Sequence, residues 1–465
     1  MIKPILDSEF VPAVFWNREF EQEAVDSSES VVFGLFRDDK VVAKRTVKVL
    51  PDIDRSFVYV ERMLKALLWA VGGNRVLFSG PEALFERVKA HYSDTEIGRF
   101  DSEIIGEKIF DRELRFELED ANAIPEPKQD SAPLGRHLDG CRIGFDLGGS
   151  DRKCAAVING EVVFSEEIKW DPYFEKNPEY HYEGTMDSLK RAAAHLPRVD
   201  AIGGSAAGDY VNNEVRVASL FRGVPADQFE EKVRPIFKRL KEEWGGIPFD
   251  VINDGEVTAL AGAMSLDDNA VLGISMGTSL AAGYVTPEGN ITSWINELAF
   301  APVDYREKGP VDEWSGDAGC GVQFFSQQGV ARLAPLAGIE FPENTPFAEQ
   351  LVEVQRLMTE GDERARKIYE TIGVCFGYTI AHYSDFYDFR NLLILGRVTS
   401  GEGGQIIIEK AEEVLCAEFP ALAKKISITT PDEQMKRHGQ AVAAASLPMI
   451  EGNAAVVSEQ YATDQ

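Results

Sequence analysis

Three glycine-containing junctions, each following an apolar run, set the strongest limit on how this chain can fold. They read DLGGSDRK at 146–153, GISMGTSLAAG at 273–283 and LGRVTSGEGG at 395–404, and INDGEVTALAG at 252–262 lies between the first two. Small residues at a strand end let the backbone approach a ligand closely and expose N–H groups that can bind phosphate oxygens. One such loop is weak support, but the series in this order forms a pattern.

The segments around these junctions alternate between strand and helix patterns. RIGFDLGG, KCAAVING, EVVFSEEIKW, VDAIGGSAAG and FDVIND predict strands, and TMDSLKRAAAHL and GEVTALAGAM predict helices. ADQFEEKVRPIFKRLKEEWG predicts one long helix, and VVFGLFRDDKVVAKRTVKV predicts two strands around an Asp-Asp turn. The expected fold class is therefore α/β, with helices covering the faces of the sheets.

Composition limits the class of protein. A chain of 465 residues is long enough for more than one domain, and 44% hydrophobic with 27% charged residues is typical of globular proteins. No apolar run reaches the roughly 20 residues of a membrane helix, and the N-terminus MIKPILDSEF lacks the apolar stretch of a signal peptide, so we expect a cytoplasmic protein without a membrane partner. The net charge of −29 argues against nucleic acid as a partner. Five cysteines without a CxxC pair predict reduced, buried thiols.

The sequence predicts five parts. Residues 1–117 form an N-terminal α+β unit, which contains more acidic than basic residues and at least two strand-like runs, so a DNA-reading domain is not expected there. A lid, a dimerisation surface and a degenerate repeat are left open for it. The other parts are a linker at 118–139, a first lobe at 140–260, a second lobe at 261–449 and a tail at 450–465.

The junctions resemble those of the ROK family of sugar kinases and repressors, glucokinase-like members included, over roughly Arg142 to Met449. The resemblance implies two ribonuclease-H-like lobes of the actin-like ATPase fold around a central cleft. It also implies ATP and Mg²⁺ as cofactors and a sugar as substrate. The residues that match the family's nucleotide-binding positions are Asp146, Gly148, Gly149, Ser150, Gly277, Thr278 and Gly396, with Arg397 where a second glycine is usual.

Asn253 and Asp254 match the family's Asn-Asp pair, which implies a sugar contact and a catalytic base. A carboxylate at the end of a strand and the start of a helix is well placed to take a proton from a sugar hydroxyl. The alternative is that Asn253 or Asp254 only caps the helix.

Asp146 lies in an apolar strand, where a Mg²⁺-bound water or phosphate would compensate for its charge. The alternative for Asp146 is an Asp that starts a turn. Lys153, next to the same turn, is expected to be solvated rather than to neutralise phosphate.

Further sugar contacts follow from the resemblance alone. Ser205, Asp209 and Ser219 are candidates for hydroxyl contacts, and polar loop residues bonded to water are an equal alternative. Glu297 occupies the Glu of the family's Gly-Glu-x-Gly-His motif, whereas Phe300 replaces its His. Only Cys320 remains of the family's zinc-binding thiolates, so no zinc site is expected.

The second phosphate loop departs from the family because Ser279 and its neighbours replace glycines. Two hypotheses therefore remain. The first is an ATP- and Mg²⁺-dependent kinase that phosphorylates a hydroxyl of a hexose or related sugar. The second is a sugar-binding or scaffold protein of the same fold with little turnover. A kinase for a different acceptor, such as a carboxylate, is the remaining alternative. A homodimer is compatible with either hypothesis.

Overall fold

The computed structural model describes residues 1–38, 40–127, 131–132, 135–431 and 439–450. The chain forms two compact units. Unit 1 contains residues 1–130, 274–282 and 293–430, and unit 2 contains 131–273, 283–292 and the residues from 431 onward. Residues 1–117, predicted as an N-terminal unit, therefore belong to the same compact unit as 293–430. The predicted division into lobes stays a prediction, and the predicted tail at 450–465 lies outside the described residues from 451 onward.

The N-terminal part of unit 1 contains a four-stranded sheet flanked by helices. Its elements are α1 (Ala13–Ala24), β1 (Ser30–Arg37), β2 (Lys40–Lys48), α2 (Ile53–Ala70), β3 (Arg75–Ser79), α3 (Glu82–Asp94), α4 (Glu96–Asp101), a π-helix (Ser102–Ile109), β4 (Arg115–Leu118) and a 3₁₀ turn (Ala121–Ala123). The sheet order is β2-β1-β3-β4, and β1 and β2 form the predicted hairpin. Asp52 caps α2 by accepting hydrogen bonds from the N–H groups of Asp54 and Arg55, as an Asp at the N-cap position of a helix is expected to do.

Unit 2 begins with a hairpin and continues with alternating helices and strands. Its elements up to residue 266 are β5 (Ser131–Ala132), β6 (Cys141–Leu147), β7 (Asp151–Ile158), β8 (Glu161–Lys169), α5 (Pro178–Ala193), β9 (Ala201–Ala206), β10 (Asp209–Val211), β11 (Glu214–Val217), a 3₁₀ turn (Ser219–Phe221), α6 (Ala226–Gln228), a π-helical turn (Phe229–Val233), α7 (Ile236–Glu243), β12 (Phe249–Asn253) and α8 (Asp254–Leu266). The predicted strands and helices of this region are confirmed, except for one helix.

The exception is the long helix predicted over 226–245. It is interrupted after the π-helical turn, and α7 begins immediately after Pro235. Proline has no N–H to donate and its ring conflicts with the preceding turn, so an α-helix cannot pass through it unchanged.

The five-stranded sheet of unit 2 has the order β12-β9-β6-β7-β8. β6, β9 and β12 run parallel, whereas β7 and β8 are antiparallel to their neighbours. All seven residues of β6 are buried, as expected for a strand in the middle of a sheet covered on both faces. In the N-terminal sheet β1 and β3 run antiparallel, so the topologies of the two sheets differ.

The final described helix, α14 (Gln440–Ala445), packs closely on β6 in unit 2. A Cβ atom built on Gly144 would lie 1.8 Å from the Ala441 carbonyl oxygen, so glycine is required there. The buried Arg142 guanidinium donates to the carbonyl oxygens of Ala445, the last residue of the helix, and of Pro448 beyond it. Residues 432–438, which precede this helix, lie outside the described residues.

The remaining elements follow α8 along the chain. They are β13 (Val271–Met276), β14 (Leu280–Val285), β15 (Ile291–Thr292), α9 (Gln327–Leu333), α10 (Phe347–Thr359), α11 (Glu363–Tyr383), β16 (Asn391–Leu395), α12 (Glu402–Glu418), α13 (Pro420–Lys425) and β17 (Ser427–Thr429), with 3₁₀ turns at Gly321–Gln323, Pro335–Ala337 and Arg397–Thr399. The sheet order is β17-β16-β13-β14-β15-β5, and residues 274–282 of β13, β14 and their turn belong to unit 1.

Candidate functional site

The parallel strands of unit 2 bring several predicted residues to one edge of the sheet. In the register, Asp146 lies beside Ser205, and Ser205 lies beside Ile252. Asn253 is the last residue of β12, and Asp254 begins α8. Because the carboxyl ends of parallel strands meet at the same edge, Asp146, Ser205, Asn253 and Asp254 lie together, in the position where α/β folds usually bind ligands.

Asp146 is a buried carboxylate with one strong neutral donor. Its side chain is 7% exposed, and the Ser205 hydroxyl donates to its Oδ1 at 2.7 Å. Burial raises the pKa of Asp146, whereas the Ser205 hydrogen bond and the positive charge of Lys153 lower it. Ser205 is itself fully buried, so its hydroxyl holds Asp146 and is not exposed to a sugar. A cation near Asp146 would stabilise its charged form.

Asn253 and Asp254 lie next to each other at the start of α8, where Asn253 caps the helix and Asp254 has a raised pKa. The Asn253 side chain caps the helix because its Oδ1 accepts the Gly255 N–H at 2.7 Å, and its Nδ2 donates to the Gly208 carbonyl at 2.8 Å. The capping alternative considered for this pair therefore describes Asn253. Asp254 is half-buried, and burial together with the negative charge of Asp146 raises its pKa to about 6, although the Gly255 N–H lowers it.

A second pair of carboxylic acids lies close to this edge. Asp209 starts β10 and is 9% exposed, and burial together with the negative charge of Glu256 raises its pKa to about 7. Glu256 was not predicted as a site residue, although the sequence Asn253-x-x-Glu256 has the spacing of a helix capping box. Ser219, by contrast, is exposed and begins a 3₁₀ turn.

The predicted first phosphate loop is the turn of the β6–β7 hairpin. The Gly148 N–H donates to the Asp151 carbonyl at 2.9 Å, and the Trp170 indole donates to the Gly148 carbonyl at 2.7 Å. Gly149 lies against the Tyr173 hydroxyl, and Ser150 is exposed with its hydroxyl donating to Asp151 Oδ2 at 2.9 Å. The hairpin geometry thus places a carboxylate, Asp151, beside the exposed hydroxyl.

Lys153 lies on β7 opposite Asp146, with its Nζ 3.7 Å from Asp151 Oδ1. The side chain of Lys153 is 33% exposed, so it is neither fully solvated nor buried. It is the cation that lowers the pKa of Asp146.

The other predicted nucleotide residues lie in unit 1. Gly277 and the exposed Thr278 form the turn between β13 and β14, and the Gly277 N–H donates to the Ser279 carbonyl at 2.9 Å. Gly396 has a φ of +104°, and a Cβ atom there would lie 2.4 Å from the Met276 carbonyl oxygen. The loops containing Gly277 and Gly396 therefore approach each other closely, whereas the Arg397 side chain is exposed.

Glu297 lies in a segment of unit 1 that follows β15. It is half-buried, and its N–H donates to the Trp69 carbonyl at 2.8 Å. Phe300, which occupies the position of the family's His, packs against the Trp69 ring with centroids 4.5 Å apart. Cys320 is buried, with its Sγ 3.8 Å from the Asp317 carbonyl oxygen. Among the described residues, no group of three or more His, Cys, Asp or Glu side chains is arranged to hold a metal ion.

No family model matches the sequence, and no curated protein matches it. Among solved structures, a ROK hexokinase from Thermus thermophilus has a TM-score of 0.52 and 18% identity, over 66% of this chain and 96% of the other. A ROK family transcriptional regulator, a homologue of the E. coli MLC protein, has a TM-score of 0.53 and 19% identity, over 67% of this chain and 79% of the other.

The chain has the actin-like ATPase fold of the ROK proteins. The expected fold is therefore confirmed, and a third of the chain lies outside the matched region. The ROK fold occurs in a kinase and in a transcriptional regulator, so activity has to be argued from the site and not from the fold. In the described part of the chain, no helix is both long and apolar enough to cross a membrane.

Proposed function

We propose that this chain transfers a phosphoryl group from ATP to a hydroxyl of a hexose or a related sugar, with Asp254 as the general base. The observation that carries the proposal is the position of Asp254 at the sheet edge, beside Asp146, with a pKa raised to about 6. A carboxylate with this pKa is ionised at neutral pH, yet it accepts a proton more readily than an ordinary aspartate.

The residues of unit 2 have distinct roles in this proposal. Asp254 orients the acceptor hydroxyl and takes its proton. Asn253 holds the start of α8 and thereby the backbone of Asp254, and its remaining amide hydrogen is available to the sugar. Asp209 and Ser219 are proposed as further hydroxyl contacts in unit 2, and Glu297 in unit 1. We assign Ser205 to holding Asp146, because its hydroxyl is buried and donated to that carboxylate.

The cofactor residues fit Mg²⁺ and a nucleotide in chemical type. Mg²⁺ keeps several waters and is usually bound through one or two carboxylates, and Asp146 is a buried carboxylate whose raised pKa shows that its charge is incompletely compensated. The exposed hydroxyl of Thr278 supplies a donor for phosphate oxygens at the second predicted turn, whereas the exposed hydroxyl of Ser150 would have to turn away from Asp151 to do so at the first. Mg²⁺ would neutralise charge on the phosphates when bound. Gly148, Gly149, Gly277, Gly396 and Arg397 stay predicted nucleotide contacts.

The experiment is ATP turnover with a panel of hexoses and amino sugars, for the native protein, Asp254→Asn and Asp250→Asn. Asp250 lies on β12, the strand that leads into Asp254, and is the matched control. We expect Asp254→Asn to lower kcat about 10²-fold or more, because a general base contributes this much. We expect Asp250→Asn to change it little. Turnover that survives Asp254→Asn would refute the assignment.

One observation favours a second candidate, sugar binding with little turnover. The Asp151 carboxylate lies at the predicted first phosphate turn and accepts the Ser150 hydroxyl, so it repels phosphate at that point. Calorimetry that detects saturable sugar binding without phosphoryl transfer would support this candidate. If repulsion by Asp151 is the reason, Asp151→Asn should tighten ATP binding. The cytoplasmic location and the homodimer stay predictions.

A further inference from the structure

Residues 293–297, here named the Glu297 segment, lie against the C-terminal end of α2. The Asn296 N–H donates to the Ala70 carbonyl at 3.0 Å, and the Glu297 N–H donates to the Trp69 carbonyl at 2.8 Å. The last carbonyl groups of an α-helix have no partner within the helix, so they need donors from elsewhere. The Glu297 segment supplies two of these donors, and α2 fixes its backbone in return.

Arg37, the last residue of β1, joins the two sides of this contact. Its Nη2 donates to the Val71 carbonyl at 2.6 Å, immediately beyond α2, while its Nη1 donates to the Ser293 carbonyl at 2.6 Å and to the Ser293 hydroxyl at 2.5 Å. The guanidinium also lies over the Phe110 ring, 4.9 Å from its centroid. A planar guanidinium with several fixed donors suits such a bridge better than a lysine ammonium does.

The side chains around Arg37 leave the Glu297 segment little freedom to move. Gly72 has a φ of +78°, and a Cβ atom there would lie 2.8 Å from Ile295 Cγ2, so the backbone after α2 approaches the Glu297 segment closely. Three residues beyond Glu297, Phe300 packs on Trp69. The segment is thus held on both sides of Glu297, with Arg37 at its start and Trp69 at its end.

We propose that Arg37 is a positioning residue for Glu297: it fixes the Glu297 segment on the end of α2 and thereby orients the carboxylate that contacts the sugar. This inference rests on the proposed function, in which Glu297 holds sugar hydroxyls. It gives residues 1–117 a role in placing Glu297 within unit 1, because both β1 and α2 belong to them. Arg37 acts on the sugar through the backbone of the segment and does not touch the sugar itself.

The test compares Arg37→Met with Arg37→Lys and with Arg75→Met. Arg75 is the matched control, because it lies in the same sheet, is bonded to Glu117 at 2.7 Å and covers the Phe36 ring at 5.3 Å, yet its contacts do not involve the Glu297 segment. Amide hydrogen exchange measures directly how firmly the backbone of the Glu297 segment is held. We expect the amides of Asn296 and Glu297 to exchange about ten-fold faster in Arg37→Met and at the native rate in Arg75→Met. Arg37→Lys should restore part of the protection.

The second readout is kinetic. A misplaced Glu297 would bind the sugar less tightly. Arg37→Met should therefore raise KM for the sugar about five-fold or more while KM for ATP stays near the native value. Glu297→Gln should raise the sugar KM as well, and the double variant Arg37→Met/Glu297→Gln should be no worse than Glu297→Gln alone. Unchanged amide exchange in Arg37→Met, or fully additive effects on KM, would overturn the inference.

The two proposals fail in different ways. If no sugar is bound or turned over while exchange in the Glu297 segment still accelerates, the proposed function fails and Arg37 is shown to fix the segment for another purpose. If Asp254→Asn abolishes turnover but Arg37→Met leaves both exchange and sugar KM unchanged, the proposed function stands and the role of Arg37 is wrong.

Discussion

Lys65 provides the strongest test of how unit 1 is held together. Its side chain is fully buried, and its Nζ lies 2.9 Å from Asp101 Oδ2 and 2.8 Å from Asp317 Oδ2. Burial alone would lower the pKa of Lys65, but the two carboxylates raise it above its ordinary value, so the ammonium stays charged. Asp317 also forms an ion pair with Arg62. The indole N–H of Trp69 is the other donor to Asp101.

Replacing Lys65 by Met leaves the buried Asp101 carboxylate without a cation. Removing one partner of a buried pair costs about 3–5 kcal/mol, because the remaining charge is not compensated. The pKa of Asp101 is already raised to about 6, by burial above all, and loss of Lys65 raises it further. A carboxyl group with a raised folded-state pKa favours folding at low pH and loses that contribution as the pH rises. The destabilisation should therefore be larger at pH 8 than at pH 5.

The assay is urea unfolding followed by tryptophan fluorescence at both pH values. Arg55→Gln is the control on the same helix, since the Arg55–Glu23 pair is exposed and screened by solvent, so its loss should change stability little. The double variant Lys65→Met/Asp101→Asn removes the unpaired charge and keeps an acceptor for Trp69, so it should recover a large part of the loss. If Lys65→Met costs no more than Arg55→Gln, the reasoning about the buried pair is refuted.

Two further predictions concern unit 2. The kcat/KM for the sugar should fall as the pH drops below about 6, because Asp254 must be ionised to accept a proton and its pKa is raised to about 6. A pH–rate profile that is flat from pH 5 to 8 would contradict this. Gly144→Ala should lower the stability of unit 2 by about 1–3 kcal/mol, because its Cβ would overlap the Ala441 carbonyl of α14. Calorimetry can compare it with Gly277→Ala, whose Cβ would meet nothing closer than 3.8 Å and should leave the melting temperature nearly unchanged.

The order of strands and helices in unit 2 could be predicted because local patterns determine it. β6, β7 and β8 have apolar residues bounded by turns, and the Asn159-Gly160 turn lies between β7 and β8. The break at Pro235 was also visible in the sequence as a proline, and the prediction of one long helix gave too much weight to the apolar spacing around it.

The contacts of Arg37 and Lys65 could not be predicted in the same way. Ser293 lies 256 positions after Arg37, and Asp317 lies more than 250 positions after Lys65, so no local pattern joins the partners. A weak signal exists, since Glu61 and Lys65 are four residues apart among the buried residues of α2. Charged residues at buried helical positions require partners, but the sequence does not say which. The role of residues 1–117 depends on such distant contacts, so the sequence alone leaves it open.

The observed cap and the proposed catalytic base of the Asn-Asp pair are compatible because they fall on adjacent residues, the cap on Asn253 and the proposed base on Asp254. With Asn253 at the cap, Asp254 occupies the first helical position, where the Gly255 N–H and the helix dipole favour its charged form. Burial and the negative charge of Asp146 oppose this and prevail, since the pKa rises from 3.8 to about 6. That difference corresponds to about 3 kcal/mol in favour of the protonated form. The sheet edge therefore holds Asp254 in the range where a carboxylate is ionised at neutral pH and still a useful base.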